Sequence, residues 1–193
     1  FIEQHGGKIV ECDTDGIFYT ATDGEAIFDA LSEYLKQINF SIELEVKNAT
    51  MLASHKKNYI LYLDNGKVIR KGSVWRGRDK NRLVREWAPA YIKKLSENVD
   101  EALKMENEMR ELISSGKAWH WLAVTKNVAK NETSLLSKEF KAGDKVRFCY
   151  KLKKTGKHTQ ISLSPEQGYD IKHYLVEFEK LVRLIKSIAL KTR

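Results

Sequence analysis

Four β-prone runs occur in the first 71 residues, and they form two pairs that are each divided by a turn signal. Asp13-Thr14-Asp15-Gly16 divides the first pair, and Asp64-Asn65-Gly66 divides the second. Asp-Gly and Asn-Gly steps between such runs favour tight hairpin turns. The runs cover residues 8–12, 17–20, 57–63 and 67–71. The pattern therefore predicts two β-hairpins, the first of which carries two carboxylates in its turn.

Apolar residues at helical spacing mark the longer elements of the chain. They predict an amphipathic helix at residues 25–37, long helices within residues 82–113 and a last helix at residues 170–190. Pro89 is expected to begin or kink one of the long helices, and Ser114-Ser115-Gly116 ends them. Most of the helical residues are therefore expected after residue 80.

Shorter segments complete the predicted set of elements. Residues 40–46 alternate apolar and acidic side chains, so that Glu43 and Glu45 share one face of a predicted strand. Residues 121–125 and 145–152 are predicted as two further short strands. Strands and helices that are segregated along the chain in this way indicate an α+β fold.

The length and composition indicate two ordered units. The chain has 193 residues, of which 42% are hydrophobic and only two are proline, and this composition excludes a linker or a disordered tail. We predict a first unit at residues 1–80, with antiparallel strands and a packed helix, and a mostly helical second domain at residues 81–193.

Charge is distributed unevenly along the chain. Residues 1–50 carry 3 basic and 10 acidic groups, net −7; residues 51–100 carry 12 and 5, net +7; residues 101–193 carry 19 and 11, net +8. Acidic side chains can hold cations, and Lys and Arg supply most of the non-specific affinity for nucleic-acid phosphates. A solvated basic surface would give the same totals, so charge alone leaves nucleic-acid binding open.

Cys12 and Cys149 are the two cysteines, and they lack the CxxC spacing of a zinc or redox site. We expect both to be small buried residues of a protein in the reducing cytoplasm. The longest apolar runs fall short of the ~20 residues that a transmembrane helix needs. No membrane partner is therefore expected.

Two features of the first 85 residues suggest chemistry on phosphodiesters. Asp13 and Asp15 lie in one turn, where two carboxylates can converge on hard divalent cations. Residues 54–85 contain ten basic residues against two acidic ones, which makes a track suited to phosphates. Trp75 lies in this track and is expected to pack in the core. Asp-x-Asp-Gly alone is more often an ordinary acidic turn, so its interpretation depends on the basic track.

Several segments resemble, in their order and spacing, the family B DNA polymerases. Glu11-Cys12-Asp13-Thr14-Asp15-Gly16 resembles the DTD motif of the palm, with Gly in place of the commoner following Ser. Lys56-Lys57-Asn58-Tyr59 resembles the KKxY element. Further palm-like and thumb-like segments are Ile42-Glu43-Leu44-Glu45, Lys71-Gly72, Arg76-Gly77-Arg78-Asp79, Trp121–Lys126, Gly143–Val146 and Gly168–Leu175. Glu11, Cys12 and Gly77 depart from the commoner family pattern, which indicates a divergent prokaryotic branch.

The resemblance implies a palm portion at residues 1–80 and a thumb at residues 81–193 of a DNA-directed DNA polymerase. Asp13 and Asp15 would then be catalytic carboxylates that bind two Mg²⁺ ions, and Glu45 would be an accessory catalytic acid near them. The residues implied to bind primer–template DNA through its backbone are Lys56, Lys57, Tyr59, Lys71, Arg76 and Arg78. The reaction would join a dNTP to the primer.

The chain lacks the family's DxxSLYPS and KxxxNSxYG motifs and its exonuclease acids. The resemblance therefore implies the small subunit of a split archaeal polymerase, or a part of a single-chain enzyme. In either case the partner is a large part that carries the exonuclease, the fingers and the remaining palm. The alternative is a non-catalytic duplex DNA-binding module, in which Asp13 and Asp15 only shape a turn.

Overall fold

The structure is a computed structural model that describes residues 1–13, 16–55, 57–77, 80–130, 140–152 and 160–189. Helices and antiparallel sheets are both present, so the α+β class predicted from the sequence is confirmed. The chain divides into two compact units, Phe1–Ile69 and Arg70–Arg193. Their assignment to palm and thumb, with a boundary after residue 80, stays a prediction.

The first predicted hairpin is confirmed with the predicted bounds. Strands β1 (Lys8–Cys12) and β2 (Ile17–Thr20) pair antiparallel, with an irregularity between Ile9 and Glu11. The backbone N–H of Asp13 donates to the carbonyl of Gly16 at 2.8 Å and closes the turn. The first carboxylate of the turn is therefore fixed at the end of β1.

A helix follows the first hairpin, as predicted. Helix α1 spans Gly24–Lys36, and the side chain of Asp23 caps it by accepting a hydrogen bond from the N–H of Ala26. The hydroxyl of Tyr19 donates to the carbonyl of Gly24 at 2.7 Å, which ties the end of β2 to the beginning of the helix. Ile27 is the one buried residue of this helix.

The second predicted hairpin is also confirmed, as part of a three-stranded sheet in the order β3-β4-β5. The strands are β3 (Ala49–His55), β4 (Asn58–Leu63) and β5 (Val68–Lys71), and β3 pairs antiparallel with β4. In the β4–β5 turn Gly66 has φ 78, a conformation that glycine adopts without steric cost. Strand β3 had no sequence prediction.

The strand predicted at residues 40–46 is wrong. Residues 40–48 form no strand, and Glu43 and Glu45 are both exposed. Alternation specifies two faces, but a strand also needs a hydrogen-bonded neighbour, and the described residues give this segment none. Asn48, with φ 52, then turns the chain into β3.

The second unit contains the predicted helices. The predicted helices are α2 (Ala88–Glu97), α3 (Val99–Ser114) and α5 (Ile171–Ala189), with a π-helical turn at Leu83–Trp87. A further short helix, α4 (Trp119–Leu122), was not predicted. Pro89 lies in the first turn of α2, directly after the π-helical turn that precedes this helix. The indole of Trp87 stacks on Tyr91, with ring centroids 4.7 Å apart, and contacts Phe178 of α5 edge-on. These aromatic rings join three helical segments.

A second three-stranded antiparallel sheet lies in this unit, in the order β6 (Val124–Asn127), β7 (Lys145–Leu152), β8 (Gln160–Ser162). The prediction for residues 145–152 is confirmed. The strand predicted at residues 121–125 is wrong in its first half, because Trp121 and Leu122 belong to α4. Their N–H groups donate to the carbonyl of Ala118 at 2.8 and 3.1 Å, which closes a helical turn.

The predicted burial is confirmed for Trp75 and Cys149 but is wrong for Cys12. Trp75 is 1% exposed, and its indole N–H has no hydrogen-bond partner among the described residues. Cys149 is fully buried, whereas Cys12 is exposed at the end of the two-stranded sheet. Such a sheet covers little surface, which accounts for the exposure of Cys12. Within the described residues, no helix has the length and apolar character needed to cross a membrane.

Candidate functional site

Lys57 connects the β1–β2 hairpin with the β3–β4 hairpin. It lies in the turn between β3 and β4, and its backbone N–H donates to Oε1 of Glu11 in β1 at 3.2 Å. Its side-chain Nζ lies 2.7 Å from Oδ1 of Asp13. The carboxylate at the end of β1 and the cation at the β3–β4 turn therefore meet, although they are far apart in the sequence.

Packing behind this contact fixes its position. Tyr59 is buried in β4 and meets Phe18 of β2 edge-on, with ring centroids 5.2 Å apart. Lys57 itself has φ 63, a left-handed conformation that non-glycine residues adopt at a cost of about 1 kcal/mol or more. Strain of this kind persists where neighbouring contacts hold it, and the Glu11 carboxylate supplies such a contact.

The charges at the site remain accessible to solvent. The side chain of Asp13 is 29% exposed and that of Lys57 is 53% exposed. Ion pairs with this degree of exposure contribute about 0–1 kcal/mol to stability, because water screens them. The pair therefore contributes little to stability, and both side chains are partly exposed to solvent.

The donor set fits a hard cation in part. Asp13 offers carboxylate oxygen, the ligand type that Mg²⁺ prefers. The ammonium group of Lys57 already lies 2.7 Å from this carboxylate. Within the described residues, no group of three or more His, Cys, Asp or Glu side chains could hold a metal ion. Asp15, the second predicted ligand, lies outside the described residues. Among the described residues, Asp13 is therefore a single carboxylate at this turn, and the predicted magnesium site stays a prediction.

The other predicted site residues are placed as follows. Glu45 is exposed in the irregular segment 40–48 and not on a strand. Lys71 and Arg76 are exposed residues of the second unit. Lys56 and Arg78 lie outside the described residues. Of the predicted set, the structure thus brings together Asp13, Lys57 and, through its packing, Tyr59.

Two participants had no predicted role. Glu11 stood out only as a departure from the commoner motif, and Phe18 only as an apolar residue of a β-prone run. Their roles come from pairing between two hairpins, Glu11 with Lys57 and Phe18 with Tyr59. Alternation along one strand carries no signal for such contacts.

Comparison with protein-family models gives no match, and comparison with curated proteins gives none either. Among solved structures, the family B DNA polymerase from the hyperthermophilic archaeon Pyrobaculum calidifontis matches with a TM-score of 0.56 and 18% sequence identity. The match covers 97% of this chain and 27% of that polymerase, so the chain spans about a quarter of the polymerase's length. The chain therefore has a fold related to part of a family B DNA polymerase.

Proposed function

We propose that this chain supplies catalytic carboxylates and a duplex-binding surface to a DNA-directed DNA polymerase. The contact between Asp13 and Lys57 carries the proposal, because it places a metal-binding type of group beside a phosphate-binding type of group. The similarity of the fold to a family B DNA polymerase supports it. A nucleotidyl transferase needs both groups within reach of one primer end.

Asp13 and Asp15 would bind Mg²⁺ through their carboxylate oxygens, with Glu45 as an accessory acid. The chemistry that two bound Mg²⁺ ions supply is stabilisation of the charge that develops as a primer 3′-hydroxyl attacks the α-phosphate of a dNTP and pyrophosphate leaves. Asp13 contributes by presenting Oδ1 at a turn closed by its own N–H bond to Gly16. The carboxylate is thereby positioned before any ligand arrives.

Lys57 would bind a phosphate of the primer–template backbone next to these carboxylates. A lysine that already lies 2.7 Å from Asp13 places any phosphate it binds close to the same point. Tyr59, which is buried, would support this grip by packing the β3–β4 hairpin on Phe18. Further backbone contacts along the duplex would come from Lys56, Lys71, Arg76 and Arg78.

Synthesis would require a second, large part of the polymerase. The chain lacks the sequence motifs for nucleotide binding and for the other palm aspartate, and its match covers 27% of the Pyrobaculum polymerase. We propose that this large part is either a separate subunit, as in split archaeal polymerases, or the rest of a longer chain. It would carry the exonuclease, the fingers and the remaining palm.

Primer extension with Mg²⁺ and dNTPs tests the proposal. The assay uses this chain alone, the exonuclease-and-fingers polypeptide from the same genome alone, and the two mixed. Extension in the mixture only is the expected result. Duplex DNA binding by this chain without extension in the mixture would favour the non-catalytic DNA-binding module instead.

A further inference from the structure

Exposed apolar side chains lie at the C-terminal end of helix α1, within the first unit. Ile38 is 65% exposed, Phe40 is 59% exposed and Tyr34 is 51% exposed. Phe1 packs against Tyr34, with ring centroids 5.4 Å apart, and is itself exposed. We call Phe1, Tyr34, Ile38 and Phe40 the α1 patch. Ile38 and Phe40 follow Tyr34 closely in the sequence, and contiguous exposed apolar groups mark interaction surfaces.

The α1 patch is held in an ordered backbone. The N–H groups of Ile38 and Phe40 both donate to the carbonyl of Leu35, at 3.1 and 3.0 Å. Asn39 between them has φ 58, the left-handed conformation that commonly ends a helix. A side chain on a fixed backbone loses less freedom on binding, so the patch is pre-organised for a partner.

The charge around the patch selects among partners. Residues 24–47 contain five acidic groups and two basic groups, net −3. The two basic groups pair with Glu25 and Glu33. This charge repels DNA phosphates, and it also opposes the pairing of two copies of the patch. It favours a protein surface with an apolar centre and a rim of Lys and Arg.

The fold comparison indicates which protein that is. The match covers nearly all of this chain but 27% of the Pyrobaculum polymerase, so a related enzyme has a large remainder. Helix α1 buries little of its apolar side, since Ile27 is its one buried residue. An amphipathic helix with so little of its apolar side buried needs another surface for stability.

We infer that the α1 patch is the docking surface for the large polymerase part, whose contact surface is apolar with a basic rim. The inference rests on the proposed function, because it takes its partner from there. Docking at this patch would complete the packing of α1 and hold the first unit, with Asp13, against the large part.

The test measures the dissociation constant between the full chain and the exonuclease-and-fingers polypeptide from the same genome. Ile38→Ser with Phe40→Ser is expected to weaken binding by at least about tenfold, as loss of central apolar contacts does. The matched control is Val99→Ser with Leu103→Ser, at side chains of the second unit that are 46% and 41% exposed. The control is expected to stay within about twofold of the unchanged chain, because Val99 and Leu103 lie outside the α1 patch.

Three results would overturn the inference. They are no binding by the unchanged chain, equal affinities for the two double variants, and a self-association of this chain that the patch substitutions abolish. If the double variant fails to fold, Ile38→Glu replaces it, since a side chain 65% exposed tolerates charge. Patch-dependent binding without primer extension by the complex would support the docking surface and reject the proposed function.

Discussion

The side-chain nitrogen of Lys57 lies 2.7 Å from Oδ1 of Asp13, and the backbone N–H of Lys57 donates to Glu11 in the same strand. The β1–β2 and β3–β4 hairpins, which are distant in the sequence, are thereby joined by an ion pair and a hydrogen bond. The pair is partly exposed, so it adds little to stability and leaves both charges accessible. This arrangement leads to separate predictions for Lys57 and for Asp13.

Removal of the positive charge of Lys57 should weaken duplex DNA binding. Lys57→Ala is expected to raise the dissociation constant for duplex DNA and to reduce the slope of log K against log salt by about one, because one phosphate contact is lost. Lys36→Ala is the matched control, since Lys36 is an exposed lysine of the same unit that pairs with Glu33. Fluorescence anisotropy at several salt concentrations measures both. Equal losses in the two variants would show that Lys57 has no special contact.

Gly7 should tolerate no side chain. A Cβ there would lie 2.6 Å from Cγ2 of Ile2 and 3.2 Å from the Ile2 carbonyl oxygen. Gly7→Ala is therefore expected to lower the free energy of unfolding of the first unit by about 1–3 kcal/mol. Gly24→Ala is the control, because the nearest atom to its Cβ would be 3.8 Å away. It should leave stability unchanged or raise it by up to about 1 kcal/mol.

All four tryptophans lie after residue 70, so tryptophan fluorescence does not follow the first unit. Amide hydrogen exchange of β4 is the suitable measurement for the Gly7 and Gly24 variants. Faster exchange in both variants, or in neither, would contradict the steric account of Gly7.

Loss of the Glu106 carboxylate should destabilise the second unit. It is buried in α3, where its carboxylate accepts hydrogen bonds from Tyr91 at 2.5 Å and Arg110 at 2.7 Å and pairs with Lys186 at 2.8 Å. Glu106→Gln removes the buried negative charge that Arg110 and Lys186 contact, and is expected to cost about 1–3 kcal/mol, because hydrogen bonds to charged groups are lost while both cations stay partly exposed. Glu108→Gln, at an exposed position of the same helix, should cost less than about 0.5 kcal/mol. Urea unfolding followed by tryptophan fluorescence compares them, and equal midpoints would contradict the expectation.

The same carboxylate predicts a pH dependence. Burial raises the pKa of Glu106, but hydrogen bonds from Lys186, Tyr91 and Arg110 outweigh burial and lower the pKa to about 2. The folded pKa lies below the ordinary value of 4.5, so the stabilisation is complete above pH 4.5 and is lost as the pH falls towards 2. The stability difference between the unchanged chain and Glu106→Gln should shrink over that range. A constant difference would reject the lowered pKa.

Local sequence signals were sufficient for much of the fold. Turn residues and β-prone runs predicted β1 and β2 with their observed bounds, because a hairpin is specified by neighbours in the sequence. Helical spacing predicted α1 and α5 to within a residue or so. The strand prediction for residues 40–46 was wrong because alternation does not show whether a neighbouring strand exists. The strand prediction for residues 121 and 122 was wrong because a single helical turn is too short to give a periodic signal.

The site was predictable only in part. The motifs indicated that Asp13 and Lys57 belong to one functional region, but their 2.7 Å contact depends on how two hairpins pack. That packing depends on Phe18 with Tyr59 and on the left-handed conformation of Lys57. Such a conformation is rare for lysine and has no signature in the sequence.

Primer extension by the reconstituted enzyme with Asp13→Asn tests the central claim most directly. Asp64→Asn, an exposed aspartate in the β4–β5 turn, is the matched control. Asp13→Asn is expected to lower the rate of synthesis by at least about a hundredfold, because the carboxylate proposed to bind Mg²⁺ is lost, while duplex binding is retained. Asp64→Asn should extend primers at the normal rate. Synthesis by Asp13→Asn at a rate close to that of Asp64→Asn would contradict the catalytic role of Asp13.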